Sequence, residues 1–552
     1  MGWVSDPEGD KVRKFRGFSG RTAFLIALPL LFLLAGCGTA AQAPAGDQSA
    51  ATGQPQYGGI LKLHWLGSPP TDFDLLKSCA SVCSSRVGPA YSQLVRIDPL
   101  KSAEDAIIMP DLAERWEYSA DGKILTLYLR KNAKWRDGKP VTAADVKYTL
   151  DRSRDPNDPV TGTSLTTISY LKPVEAVEAV DDYTVRLQLK RPMASLLNWL
   201  GSGQKYIVAK HAWPTLDPRN EMMGSGPYRL KKYEAGVSIE FEKNPDYFLT
   251  DKPYVDGIID YFLKDNATRV AAFETEQIDM LRFIDETMWD GIHKADPKAQ
   301  LVPWNALRGS LLAVNMARKP YDDPRVRKAI FMALDRQEGK QLIGGAWGTI
   351  GGYITAGPWA LPEAELRKMP GYGDPKAQAA EAKKLLTEAG YPQGFKADLV
   401  TAQNNPIYEA SSVWAKDQLK KNLNIDVNVE ILPPADYSNR YSTTKTFDLH
   451  LLTSPASYPD PSGHASFWGP GNPYSFNDKE IFDLLDRQDQ TLDTTERKKL
   501  VNDMERQLLE RGPFAVITWI KLGTALHPWV KNHFEPVGWY SGNQYDHVWL
   551  AK

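Results

Sequence analysis

Few residues of this chain are spaced for covalent chemistry. No serine sits in a G-x-S-x-G turn, and the serine-rich stretch from Ser78 to Ser85 has no histidine beside it to act as a base. The eight histidines form no H-E-x-x-H or similar pair, so no bound metal is expected. Gly224-Ser225-Gly226-Pro227-Tyr228 is rich in glycine, but no Lys-Ser/Thr pair follows it. It reads as a tight loop rather than a phosphate cradle. What remains are three thiols and many rings. The 16 Trp, 24 Tyr and 18 Phe suffice for a large core, and some of them can line a cleft, where flat rings bind ligands well. The chain reads as a binder without a cofactor, not as an enzyme.

The first thiol sits in an address. Lys11, Arg13, Lys14, Arg16 and Arg21 precede the apolar stretch from Thr22 to Ala35. That stretch is 14 residues long, short of the ~20 that span a bilayer. A basic flank, a short apolar run and small residues at its end read as an export signal over 1–36. Leu34-Ala35-Gly36-Cys37 resembles the lipobox of bacterial lipoproteins, which implies that Cys37 carries the lipid and becomes the new N-terminus. Cleavage there removes five basic and three acidic residues and moves the net charge from −2 to −4. Neither value supplies a basic field for nucleic acid. Residues 37–57 carry no large aliphatic side chain and read as a flexible tether ending at Tyr57. The other two thiols, Cys79 and Cys83, are spaced C-x₃-C with no further ligand nearby. In an oxidising compartment they are expected to close a small disulfide loop, two free buried thiols being the alternative.

The body behind the tether is long enough for two or three domains. Tyr57-Gly58-Gly59 leads into a first strand from Ile60 to Leu63. Leu125, Leu127 and Leu129 alternate as a half-buried strand does. Thr142 and Asp145 are spaced as a capping box, with Val141 placed to staple against Val146. Lys232 to Phe241 reads as a hairpin. Asp323 and Pro324 open a helix whose apolar face is Val326, Ala329, Ile330, Ala333 and Leu334. Residues 377–390 read as a helix stopped by Gly390-Tyr391-Pro392. Helices and strands mix irregularly, the pattern of an α/β fold.

These pieces, in this order, resemble the family 5 extracytoplasmic solute-binding proteins of ABC importers, the oligopeptide- and dipeptide-binding group. The most specific stretches are Pro110 to Trp116, Trp135-Arg136-Asp137-Gly138-Lys139-Pro140-Val141-Thr142, Asn244-Pro245-Asp246-Tyr247 with the Gly224 loop, and Pro320 to Arg327. All are turns and caps, so the signature is one of fold. The resemblance implies a two-lobed periplasmic-binding-protein-like α/β fold with a hinge. It maps the first lobe to 58–87, 206–300 and 526–552, an extra subdomain of that lobe to 88–205, and the second lobe to 301–525. It implies a monomer that captures a peptide or peptide-like solute between its lobes and delivers it to ABC permease subunits, outside the cytoplasm.

The resemblance also assigns a ligand loop. The strand Phe447 to Thr453 leads into Ser454–Asp460, which in the family faces the cleft. Peptide binders commonly carry a Gly-Trp pair there, then an Asp that neutralises the peptide's amino group. Here Thr453-Ser454 replaces the pair and Ser457 stands at the Asp position. A neutral hydroxyl cannot make the charge-assisted bond that a desolvated ammonium prefers, which argues against di- and tripeptides with free amino ends. Asp460 reads as a turn residue. Ser454, Ala456, Ser457, Tyr458, Trp519, Trp65 and Asn315 are the candidate ligand contacts. Trp414 reads as core and His464 as a surface loop residue. An oligosaccharide or other polar solute is the alternative ligand, since sugars stack on rings without a counter-charge; a sensor that kept the fold and lost transport is another.

Overall fold

The computed structural model describes residues 53–66, 69–70, 72–76, 86–100, 107–158, 170–203, 205–403, 405–456, 458–535 and 543–552, all within the compact unit Ala43–Lys552. The export signal, Cys37, Cys79, Cys83 and Ser457 lie outside the described residues. Tyr57, expected to end the tether, is docked: its hydroxyl donates to the Asp251 carbonyl at 3.1 Å and its ring meets Tyr254 edge-on at 5.4 Å.

The local signals act as their chemistry requires. Asp145 Oδ2 accepts from the Thr142 N–H at 2.9 Å and from its hydroxyl at 3.0 Å, opening the helix Ala143–Arg154. Asp323 accepts from the Arg325 N–H at 2.8 Å at the start of Pro324–Met332. Leu125, Leu127 and Leu129 all turn inward from Ile124–Leu129. The Gly224 loop is glycine-rich because backbone passes close by. A Cβ on Gly226 would lie 2.6 Å from the Ala90 carbonyl carbon, and one on Gly224 would overlap the Ala90 oxygen.

Three main sheets result. One runs in the order Ile60–Leu66, Gly257–Leu263, Ser238–Lys243, Tyr228–Glu234, its first pair parallel. A second is antiparallel: Ala113–Tyr118, Ile124–Leu129, Thr184–Leu189, Val174–Asp181. The third has six strands: Met280–Ile284, Phe514–Leu526, Gln300–Val314, Leu449–Pro455, Lys396–Ala402, Asp426–Leu432.

Two long strands of the third sheet tie the body together. Val302 packs against the core of the first sheet, whereas Leu312 and Val314, ten and twelve residues on, belong to a core with Ile330 and Leu419. Phe514–Leu526 does the same in reverse: Ile517 is in that second core and Leu526 in the first. One pair of antiparallel strands therefore crosses from lobe to lobe. The pairing breaks register between Asn305 and Arg308, where Leu307 takes φ +49°. A bulge at this point bends the ladder and interrupts its stiffness midway between the two cores.

Candidate ligand-binding site

The site is built where the crossing strands, the end of Ile60–Leu66 and the loop after Leu449–Pro455 converge. Trp65 is the sixth residue of the first strand, and its ring meets Phe283 edge-on at 5.8 Å. Phe283 in turn meets Trp304 of the crossing strand edge-on at 5.6 Å. Edge-to-face contacts suit ring quadrupoles and line the three rings up across the junction. Both indole N–H groups, of Trp65 and Trp304, are buried and have no hydrogen-bond partner among the described residues. Orphan buried donors cost ~1–3 kcal/mol each and call for an acceptor, and the core indoles of Trp414 and Trp468 are orphaned likewise, so it is the position of Trp65 and Trp304 near the crossing that singles them out.

A polar frame holds these rings. Phe283 adopts φ +60°, which a phenylalanine rarely does. Its neighbour Arg282 is pinned by a buried bidentate pair with Glu535 at 2.6 and 2.8 Å, and the Arg282 N–H donates to His64 Nε2 at 3.0 Å. Burial works against the Glu535 carboxylate, but Arg282 and His533 hold it well below its usual range. Burial together with Arg269 and Arg282 keeps His64 neutral and therefore able to accept. The Arg86 guanidinium lies 5.1 Å from the Trp65 ring centre and 4.7 Å from that of Phe262.

The loop residues divide. Ala456 sits on the hinge bulge: its N–H donates to the Leu307 carbonyl at 2.8 Å, and the two side chains form a small apolar cluster. Ser454 pairs with Gly309 across the sheet. Tyr458 turns away from the three rings. It joins the core beneath the second sheet, with Leu127 and Leu187, and meets Tyr170 edge-on at 5.2 Å. Asp460 is buried in a bidentate pair with Arg497 at 2.7 and 2.9 Å, accepts from Asn198 Nδ2 at 2.9 Å, and caps the short helix Pro461–Phe467. Burial alone would raise its carboxyl, but Arg497 holds it below the usual carboxylate range. Both oxygens are occupied, so Asp460 does not stand in for the missing amino anchor.

Three expectations are corrected by their surroundings. The Asn315 amide is spent on backbone: it donates to Lys445 O at 2.9 Å and Phe447 O at 3.1 Å and accepts from the Ala317 N–H. Trp519 is a core ring whose N–H donates to the Gly352 carbonyl at 3.0 Å. Gly309 and Gly351 face it so closely that a Cβ on either would press on the indole. His464 is buried, not on a surface loop; it meets the Trp519 ring at 5.7 Å, and its nitrogens engage the Thr355 hydroxyl at 3.0 Å and the Asp460 carbonyl at 3.1 Å. Burial pushes its pKa down to about 4. Trp414 is core, as its helical spacing suggests. Sequence reasoning missed Phe283, Trp304 and Leu307. Trp304 carries the one readable signal, an aromatic on a strand bound for the crossing; nothing local marks the positive φ of the other two.

Among the described residues no group of three or more His, Cys, Asp or Glu could hold a metal ion. The arrangement offers donors and ring faces at a bending point, which suits reversible capture.

A family model described as bacterial extracellular solute-binding proteins, family 5 middle region, matches residues 108–476. The chain is 29% identical over 485 residues to heme-binding protein A of Haemophilus influenzae, covering 81% of this chain and 85% of that one. It is 26% identical over 505 residues to a glutathione-binding protein of Pectobacterium atrosepticum, covering 87% and 91%. A binding protein of A. tumefaciens R10 solved with agropinic acid superposes with a TM-score of 0.72 at 26% identity, over 90% of this chain and 99% of that chain. The fold is shared with a dipeptide-binding protein of Pseudoalteromonas solved with Met-Leu, at TM-score 0.73 and 22% identity over 89% and 100%.

Proposed function

The chain belongs to the bacterial extracellular solute-binding proteins of family 5, the binding components of ABC importers, and on that premise we propose that it captures a peptide-like solute whose amino end is blocked or absent. The lobes close about the bulge at Asn305–Arg308, and the ligand is gripped between Trp65, Phe283 and Trp304 on one side and the Ser454–Ser457 loop on the other. The observation that carries this reading is the pair of buried, unpartnered indole donors beside the bulge. A ligand that bonds to them only when both lobes meet has differential affinity for the closed form, and that affinity is what drives closure. The relatives named for heme and glutathione support a family that takes varied small solutes.

The absence of an amino anchor rests on two residues. Ser457 is neutral, and Asp460 is occupied by Arg497 and Asn198. Calorimetry with matched free and N-acetylated peptides tests this. The acetylated form is expected to bind at least as tightly; a free form ten times tighter would overturn it, and saturable binding to oligosaccharides alone would overturn the peptide reading.

The protein is exported as a monomer and held at the cell membrane, on its periplasmic side or outer face, by lipid on Cys37, with Cys79 and Cys83 closing a disulfide. Two acyl chains are the minimum for stable residence. Cys37→Ser is expected to abolish metabolic lipid labelling; labelling at the wild-type level would refute the anchor.

A further inference from the structure

The second sheet is fastened to its two neighbours by bonds of different burial. Toward the first sheet the bonds are buried. Arg96 makes a bidentate pair with Asp546 at 3.0 and 2.9 Å, the Thr149 hydroxyl accepts from the Val208 N–H at 3.1 Å, and Asp145 accepts from the Lys210 N–H at 2.9 Å. Tyr247 and Phe248, which follow the strand Ser238–Lys243, share its core. Parting the two sheets would leave a buried charge without its partner. The second sheet is therefore built onto the first.

Toward the third sheet the seam is polar and partly exposed. The segment 191–195, which follows Thr184–Leu189, meets the end of the helix Lys479–Gln490. The Ala194 N–H donates to the Asp489 carbonyl at 2.6 Å, and the Ser195 N–H to the Asp489 carboxylate at 3.1 Å. Arg191 pairs with that carboxylate at 3.3 Å and with Asp486 at 3.0 Å. Gln490 donates to the other Asp486 oxygen at 2.6 Å and fixes the carboxylate toward Arg191. The Arg191 and Asp486 side chains are 30% and 51% exposed. Three residues past Ser195, Asn198 donates to Asp460 at 2.9 Å. Tyr458 crosses the seam as well, its ring packed beneath the second sheet. None of these bonds involves Trp65, Phe283 or Trp304.

We infer that this seam is a latch that holds the closed form. The inference rests on the reading that the lobes close about the bulge at Asn305–Arg308. When the crossing strands bend there, the seam is the contact that parts, because its charges regain water readily and the Arg96–Asp546 pair does not. The latch is made within the chain, so it favours the closed form equally for every solute. A protein whose competent form is populated to a fraction f binds with an apparent Kd equal to the intrinsic value divided by f, and the latch raises f. Selectivity stays with the three rings and the Ser454–Ser457 loop, while the seam scales all affinities together.

Hydrogen exchange followed by mass spectrometry reads the latch at its own amides, with the radius of gyration from small-angle X-ray scattering measured alongside. Both use the full chain, unfolded and refolded to free it of solute. The Ala194 and Ser195 amides are expected to be protected in the wild type. Arg191→Glu sets a third carboxylate against Asp486 and Asp489. It is expected to speed exchange of the two amides about tenfold and to enlarge the radius, while Thr184–Leu189 keeps its protection. Arg191→Met, which only removes the attraction, is expected to act in the same direction by a smaller factor. Adding Asp486→Arg to Arg191→Glu pairs opposite charges again and is expected to restore both readouts. The latch is overturned if the two amides exchange equally in wild type and Arg191→Glu, if the radius does not change, or if the double variant behaves like the single one. If the latch responds as expected but neither free nor N-acetylated peptides bind saturably, the peptide reading fails and the latch stands.

Discussion

Replacing Asp460 by Asn separates a structural from a ligand-reading role for the one carboxylate in the loop. The side chain keeps its shape and can still cap Pro461–Phe467, since Asn is as good a cap as Asp. What it loses is charge. Arg497 then stays buried, its side chain 5% exposed, with the Gln488 side-chain oxygen at 3.0 Å, the face of Trp359 at 4.9 Å and the more distant Asp489 carboxylate in place of its bidentate partner. Breaking a buried pair by removing one partner costs about 3–5 kcal/mol, because a charge is left without a counter-charge. Urea unfolding followed by circular dichroism reads this directly. The sign with pH also follows. The Asp460 carboxyl is held below its usual range in the folded protein, so the stabilisation is present above the unfolded-state pKa of ~3.9 and fades as pH falls through the folded value. The gap between wild type and Asp460→Asn should therefore be flat from pH 8 to about pH 5 and close only in stronger acid. Adding Arg497→Met should restore most of the loss, since an apolar pair of similar volume is often neutral. The ratio of affinities for free and acetylated peptides should not move. A destabilisation under about 1 kcal/mol, or a selective loss of free-amine peptides, would refute the reasoning.

Trp519→Ala should destabilise by about 3–5 kcal/mol through an unfilled cavity beside Gly309 and Gly351, measured by the same unfolding assay; unchanged stability with weakened ligand binding would return Trp519 to the cleft. Gly226→Ala should lower the melting temperature, because its Cβ would stand 2.6 Å from the backbone of both Ala90 and Tyr91; a melting curve equal to wild type would show that the loop has room. Ser457→Asp should raise affinity for free-amine peptides relative to acetylated ones in calorimetry, by supplying a counter-charge in a partly desolvated site; equal changes in both would mean the loop does not read the amino end.

The fold was legible where residues act on near neighbours. Thr142 with Asp145, and Asp323 with Pro324, fix helix starts through hydrogen bonds that span two or three residues. Alternation at Leu125, Leu127 and Leu129 fixes an inward face. The site was less legible because distant residues decide it. Asn315 reads as a cleft contact or a residue that satisfies backbone, and Lys445 and Phe447, 130 or more residues away, take its amide. His464 looked like a loop residue, and Thr355 with the Trp519 ring makes it a buried one. Phe283 and Leu307 take positive φ where strand register breaks, between Leu281 and Ile284 and between Asn305 and Arg308, and neither break leaves a local mark. The resemblance assigns Ser454–Asp460 to the cleft, but Tyr458 packs in the core of the second sheet and Asp460 pairs with Arg497.

Capture of a solute between the lobes is most directly tested by a native mass spectrum of the protein as purified, followed by the same spectrum after unfolding and refolding. A bound mass in the range of a short or modified peptide is predicted, released by unfolding and recovered when the released material is added back to the refolded protein. Release of a carbohydrate mass, or a refolded protein that takes up nothing from the released material, would contradict the account.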